Sequence, residues 1–252
     1  AAEALVAQRP DDVVRAYLHE SLVRPFARAL ERWAALKIAY HVVDEVTLDR
    51  VSGSMHHEGI CLLAKPRPPL SEAELLAGVT EDEAPLALLF LDQVDNPNNV
   101  GAIVRVAAHY GVPAVLYTAT DPRTFSSSAV HRTAEGGAEH VALMEPADPR
   151  ATLEALRAAG LALIATSGRA AEALHDRPLP ARAVFLLGSE RDGLTPEVLA
   201  LADRVVAIEG SGWIESLNVA CATTAVLAEW WRTQAEAARA ERARAAPRER
   251  RP

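Results

Sequence analysis

No apolar run in this sequence is long enough to cross a membrane: the longest, such as Ala84 to Leu91 and Ala183 to Leu187, fall far short of the roughly 20 residues a spanning helix needs. The opening AAEALVAQRP lacks a basic segment followed by an apolar stretch, so it does not read as a secretory signal, and the expected address is cytoplasmic. Cysteine is scarce. Cys61 and Cys221 are too few for a disulfide scaffold or a zinc cluster, and both are expected as buried apolar thiols. Metal ligands are equally thin: His56-His57-Glu58 is the tightest cluster, and adjacent side chains in a strand point to opposite faces, so no metal site is expected. A dinucleotide fingerprint is missing too, because Glu215 stands where the third glycine after Gly210-Ser211-Gly212 should be, which argues against a Rossmann oxidoreductase. The chain also lacks a basic excess. Its net charge of -8 argues against a generic nucleic-acid coat. The exception is the stretch from Arg232 to Pro252, with seven Arg against three Glu, which reads either as a solvated helix end or as an RNA-contacting arm.

What the 252 residues do contain is a globular composition, 50% hydrophobic and 24% charged, with enough apolar material for a real core. Asp12 to His19 and Leu36 to Val43 read as strands around a helix from about Ser21 to Ala35, and Gly59 to Ala64 adds a further apolar run. Pro, Ser and acidic residues then dominate 66–84, which is expected to be a linker between a small α/β domain (1–65) and a larger one (85–237), followed by a flexible basic tail (238–252). In the larger domain, apolar runs at Leu86–Leu91, Ala114–Tyr117, Leu161–Ala165, Ala183–Leu187 and Arg204–Ala207 alternate with helical stretches, notably Asn98–Tyr110, Pro149–Ala159 and Ser216–Ala237. Continuous apolar strands between helices indicate a parallel sheet covered on both faces.

Polar residues cluster after three of these strands, and in open α/β sheets ligands bind at the carboxyl ends of strands. In LDQVDNPNNVGAIVRVA, Asn98 or Asn99 can cap a helix that carries Arg105, so Asn99, Gly101 and Arg105 sit near free N–H groups that favour anions. VFLLGSERDGLTPEVL runs a buried strand into Gly188, Glu190 and Gly193, with Thr195 as a candidate N-cap. VVAIEGSGWIESLNVACATTAVLAEWW places Ser216 and Asn218 at a helix start, and either can cap it.

Together the three segments resemble the signature motifs of the SpoU/TrmH family of RNA ribose 2′-O-methyltransferases, in the SPOUT superfamily. Asn99, Gly101 and Arg105 meet its N-x-G-x-x-x-R, Gly188, Glu190 and Gly193 its G-x-E-x-x-G, and Ser216, Leu217 and Asn218 its S-L-N. Glu209 departs from the proline many members carry after the isoleucine that Ile208 matches. The front of the chain is similar to the small ribosomal-protein-like domain that precedes many SpoU cores, with His57-Glu58-Gly59 where members often read H-Q-G; the chain opens inside what looks like that domain's first helix, as if a preceding strand were missing.

The resemblance implies a parallel-sheet domain closed by a trefoil knot, S-adenosylmethionine as cofactor, and a homodimer through the knotted domain. Its cofactor residues map to Gly188, Ile208 and Leu217, with Thr166 added at the end of the Leu161–Ala165 strand. Its catalytic set maps to Asn99, Arg105, Glu190, Ser216 and Asn218, with Arg105 either the base or a phosphate binder that lowers the pKa of the attacking hydroxyl. The implied substrate is structured RNA, rRNA ahead of tRNA. A knotted protein that holds RNA or cofactor without catalysis is the alternative; it would need the glycines but not Arg105 and Glu190 together.

Overall fold

The computed structural model describes residues 1–81 and 83–245. The chain divides into two compact units, Ala1–Pro68 and Pro69–Pro252.

The first unit contains α1 (Ala2–Gln8), β1 (Val13–Leu18), α2 (Ala27–Ala35), β2 (Ala39–Val42), α3 (Glu45–Ser52) and β3 (Ile60–Ala64). Its sheet has the order β2-β1-β3, with β2 parallel and β3 antiparallel to β1. Ala16 and Leu18 of β1 pack with Phe26, Ala29, Leu30 and Trp33 of the α2 region, so the core lies on one side of the sheet. α2 starts later than Ser21 because Pro25 has no N–H to continue an i→i−4 ladder, and a short 3₁₀ turn at Glu20–Leu22 takes its place. β2 begins at Ala39 because Lys37 holds a left-handed φ of 58° that no extended strand accommodates.

The second unit runs α4 (Glu72–Glu81), β4 (Leu86–Asp92), α5 (Pro97–His109), β5 (Ala114–Thr118), α6 (Ser128–Thr133), β6 (Ala142–Met144), α7 (Pro149–Ala158), β7 (Ala162–Thr166), β8 (Glu172–Ala173), β9 (Arg182–Gly188), α8 (Pro196–Leu199), β10 (Arg204–Ala207) and α9 (Val219–Ala245). Its seven strands pair in parallel in the order β6-β5-β4-β9-β7-β10-β8. Successive side chains of a strand face opposite ways, and the core divides accordingly. Leu89 and Leu91 of β4 join the layer made with α5 and α9, whereas Leu88 and Phe90 join the layer made with α4 and α7. Both faces are therefore buried, as the unbroken apolar strands require.

The stretch expected to be a linker is corrected by α4. Leu75 and Val79 are buried in the second core layer, and Thr152 Oγ1 on α7 donates to Glu72 Oε1 at 2.8 Å. Ser71 and Glu74 start this helix as a capping box: the Ser71 N–H donates to Glu74 Oε2 at 2.9 Å and the Glu74 N–H to Ser71 Oγ at 3.2 Å. α9 runs on past the expected domain end at 237 to Ala245, and 246–252 lie outside the described residues. The cysteines also differ from expectation. Cys221 is exposed on α9 and Cys61 is only half-buried, its thiol pushed up by that burial.

Candidate active site

Strands β4 and β9 pair without a break from Leu86 opposite Arg182 to Asp92 opposite Gly188, so both end at the same level of the sheet. Asp92, 2% exposed, is buried there. It accepts hydrogen bonds from Thr118 Oγ1 at 2.8 Å, from the Thr195 N–H at 2.8 Å and from Thr195 Oγ1 at 2.7 Å, which satisfies the carboxylate without a cation. Thr195 stands at the N-cap position of α8, yet its hydroxyl makes no cap bond and ties the loop after β9 to β4 instead.

That loop folds tightly. A Cβ placed on Gly188 would lie 2.0 Å from the carbonyl carbon of Gly193, a distance no side chain survives, and Gly193 itself adopts a φ of 71°. The Gly193 N–H donates to the Ser189 carbonyl at 3.0 Å, which closes a turn with Glu190 inside it.

Glu190 is met by two amides from distant parts of the chain. Asn99 Nδ2 donates to Glu190 Oε1, and Asn218 Nδ2 donates to both Asn99 Oδ1 at 3.0 Å and Glu190 Oε1 at 3.2 Å. The orientation of Asn218 has a local cause: its Oδ1 accepts the Ala220 N–H at 2.9 Å and caps α9, which leaves the NH₂ to face Glu190. Ser216, the other candidate cap, does not take that role. Nor do Asn98 or Asn99 cap α5. Asn96 does, accepting the Asn98 N–H at 2.9 Å ahead of Pro97, and Asn99 is thereby left for Glu190.

Arg105 lies further along α5 and does not join this group. Its Nη1 donates to Glu135 Oε1 at 2.7 Å, and both side chains are more than half exposed. Gly101 between them is a packing residue, because a Cβ there would lie 2.6 Å from the Thr133 Cβ on α6.

A cleft of about 720 Å³, the size of many small-molecule sites, opens beside Glu190. Thr166, Gly188, Ile208 and Leu217 all line it, together with Glu190 and Ser216. Ile208 and Leu217 supply apolar wall; Thr166, Ser189, Ser216 and glycine backbone supply hydrogen-bonding groups. Such a lining suits a cofactor with a flat ring, hydroxyls and a charged tail. The carboxylates of Glu190, Asp192 and Glu215 border it, and Glu215 is paired with Arg169 at 3.2 Å. Sequence reasoning missed Asp92, Asn96 and Glu135. An acidic residue ending an otherwise apolar strand was the available signal for Asp92, whereas the partner of Arg105 left no local mark.

Among protein families, the SpoU rRNA Methylase family matches residues 87–228, and a family described as RNA 2′-O ribose methyltransferase substrate binding matches residues 2–70. The chain is 38% identical over 232 residues to the uncharacterized tRNA/rRNA methyltransferase YfiF of Escherichia coli O157:H7, a match that covers 92% of this chain and 66% of that protein, so the chain spans just under two thirds of that relative. It is 30% identical to the 23S rRNA (guanosine-2′-O-)-methyltransferase RlmB of Nitrosomonas europaea, over 91% of this chain and 87% of the relative. The crystal structure of the SpoU methyltransferase AviRb from Streptomyces viridochromogenes, in complex with AdoMet, shares the fold with a TM-score of 0.73 at 23% identity, over 93% of this chain and 88% of that one.

Proposed function

The chain belongs to the SpoU rRNA methylase family, and from that premise we propose that it transfers the methyl group of S-adenosylmethionine to a ribose 2′-hydroxyl of structured RNA, with rRNA as the substrate. The observation that carries this reading is the convergence at one cleft: Thr166, Gly188, Ile208 and Leu217 line it with Glu190 and Ser216, and Asn99 and Asn218 are hydrogen-bonded to Glu190. When bound, the cofactor supplies a methyl group on a positively charged sulfur. The apolar side chains of Ile208 and Leu217 would hold its flat part, and the charged border, with Glu190, Asp192 and Glu215 beside Arg169 and Arg191, offers partners to both the cationic and the anionic groups of its tail.

Asn99, Glu190 and Asn218 form a fixed polar rim against which a ribose can be oriented, which converts binding energy into alignment of the attacking oxygen. A guanidinium stays protonated in water, so Arg105 acts on the RNA phosphate and through it lowers the pKa of the 2′-hydroxyl, whose proton passes to water as the oxygen takes the methyl group and leaves the cofactor a neutral thioether. Its pairing with Glu135 is exposed and weak enough for a phosphate to displace. A purely binding protein would have no need for this combination of rim and cation.

The proposal includes the trefoil knot, a cytoplasmic address and a homodimer built on the second unit, with the first unit serving RNA. Among the described residues no helix is long and apolar enough to cross a membrane. Trp213 and Ile214, 90% and 79% exposed and adjacent in the chain, and the exposed Trp231 support the dimer, because adjacent exposed apolar side chains form a patch of the kind a partner covers. Mapping 2′-O-methylation across total RNA from a strain with and without the gene tests the activity and separates rRNA from tRNA. No site lost from either RNA on deletion would end this reading.

A further inference from the structure

The main apolar core of the first unit lies on one side of its sheet. Residues two apart on a strand share a face, and the cross-strand pairs extend that face across the sheet. Opposite the core therefore lie Arg15 and Tyr17 of β1, Ala39 and His41 of β2, and Cys61 and Leu63 of β3, with Arg15 paired to Ala39 and Leu63, and Tyr17 paired to His41 and Cys61. Arg15, Ala39, His41 and Leu63 are exposed, and Tyr17 and Cys61 are half-buried.

Three side chains on this face are arranged for a particular chemistry. The Tyr17 and His41 rings stack at a centroid distance of 5.1 Å and an interplanar angle of 21°. Arg15 Nη1 reaches the Tyr17 hydroxyl at 3.5 Å, and among the described residues it has no carboxylate partner, whereas Arg9 and Arg32 of the same unit are paired with Asp12 and Asp11. The six strand residues of the face include no acid.

We infer that this open face is a stacking platform for unpaired bases of the RNA substrate, with Tyr17 and His41 as the ring surface and Arg15 as the cation beside it. The inference rests on the methyltransferase reading and adds to it the surface and the form of RNA. An exposed His41 ring stacked on a half-buried Tyr17, beside a guanidinium with no carboxylate partner among the described residues, matches a base attached to a phosphate, and an aliphatic helix would leave both the ring surface and the guanidinium unanswered. Charge bookkeeping favours stacking over a general electrostatic grip. Residues 1–68 hold nine Lys and Arg against nine Asp and Glu, so this unit has no net field to attract a duplex, and the rest of the chain carries the whole -8. On this face Arg15 supplies the local positive charge that such stacking is usually paired with, and the rings supply contact that does not depend on base identity.

The test uses the full chain and a fluorescein-labelled single-stranded RNA of about a dozen nucleotides, within the site size of known single-strand binders, alone and annealed to its complement. Anisotropy titrations compare the wild type with Tyr17→Ala, Tyr17→Phe, His41→Ala and Arg15→Ala; the last two change exposed side chains and keep the question open should Tyr17→Ala fail to fold. Tyr17→Phe is expected to bind the single strand like the wild type. His41→Ala and Tyr17→Ala are expected to bind it at least about five-fold more weakly, the low end of what one stacked base contributes, with the duplex unaffected. Arg15→Ala is expected to weaken it as well and to flatten the salt dependence.

A parallel methyl-transfer assay on rRNA is expected to show a raised KM and an unchanged kcat in the same variants. Equal single-strand affinity across all variants, or equal losses on single strand and duplex, would overturn the platform even where wild-type methylation proceeds. A wild type that binds no RNA through this face, leaving it for a protein partner, would overturn it too. Should the wild type methylate no RNA yet lose single-strand binding on His41→Ala, the platform stands and the methyltransferase reading falls.

Discussion

Arg105 and Glu135, thirty positions apart in sequence, form an ion pair at 2.7 Å on the surface of the second unit, while Asn99 on the same helix turns to Glu190. The cation is thus held apart from the amide and carboxylate rim. Arg105→Ala is expected to lower methyl transfer by roughly 10³-fold or more, since it removes an interaction needed in the transition state, and to leave S-adenosylmethionine affinity within a few-fold. Calorimetric titration beside a methyl-transfer assay checks both. Because the pair is exposed, thermal stability should change little, and near-normal turnover would refute the assignment.

Asn218 has two duties that one substitution separates. Asn218→Asp keeps an oxygen to cap α9, and Asp caps as well as Asn, but it sets a second carboxylate against Glu190. Folding should be nearly preserved while turnover falls at least about ten-fold, partly recovering at lower pH as the new pair takes up a proton. Asn218→Ala should cost about 1 kcal/mol through loss of the cap. Denaturant unfolding and pH–rate profiles distinguish the two variants.

Gly188→Ala is expected to prevent the native loop from closing, with a loss of about 3 kcal/mol or more, at or beyond the upper end of ordinary overpacking, because the intruding Cβ meets backbone atoms that cannot rotate away. Gly193→Ala meets nothing within 4 Å and suffers only from its positive φ, so it should be the milder change. Urea midpoints of the two variants rank them directly, and the reverse order would mean that the loop packs differently.

Glu172 on β8 is held by Arg177 and by Arg204 of neighbouring β10, and those hydrogen bonds pull its carboxyl down to about 2 from 4.5. A carboxylate whose pKa is depressed on folding stabilises the fold above its unfolded value and ceases to do so as pH falls through the folded one. Glu172→Gln should therefore have a lower Tm than the wild type above pH 5, with the gap closing between about 4.5 and 2. Calorimetry across that window checks it. A gap that stayed constant with pH would mean the glutamine acts through shape alone.

For the dimer, sedimentation equilibrium is expected to give twice the 27.0 kDa chain mass at micromolar concentration. Trp230 and Trp231 both look like interface aromatics in sequence, yet Trp230 is buried, with its Nε1 donating to the Pro180 carbonyl at 3.2 Å, and Trp231 is exposed. Trp231→Glu and Trp213→Glu should weaken association without unfolding, whereas Trp230→Glu should unfold the subunit. A chain fully active as a monomer at nanomolar concentration would dispose of the dimer.

Local rules in the sequence were enough for the alternation of apolar strands with helices in the second unit, since a strand buried on both faces has to be continuously apolar. They were also enough for the three polar segments at strand ends, whose residue types and spacing are written contiguously. Local rules stop where several residues compete for one role. Asn96, Asn98 and Asn99 can each cap a helix beginning near Pro97, and Ser216 and Asn218 can each cap α9; the choice falls to whichever geometry also satisfies Glu190, which lies far from both in sequence. The helix inside the expected linker was legible in its Ser71–Glu74 capping box but masked by the surrounding prolines and acids. Nothing local, finally, specifies the placement of β9 between β4 and β7, the burial of Asp92 against Thr195, or the partnership of Arg105 with Glu135. Those contacts join residues from about 30 to more than 100 positions apart, and they exist because the sheet buries its apolar faces in one order, bringing the ends of β7, β9 and β10 to a single cleft.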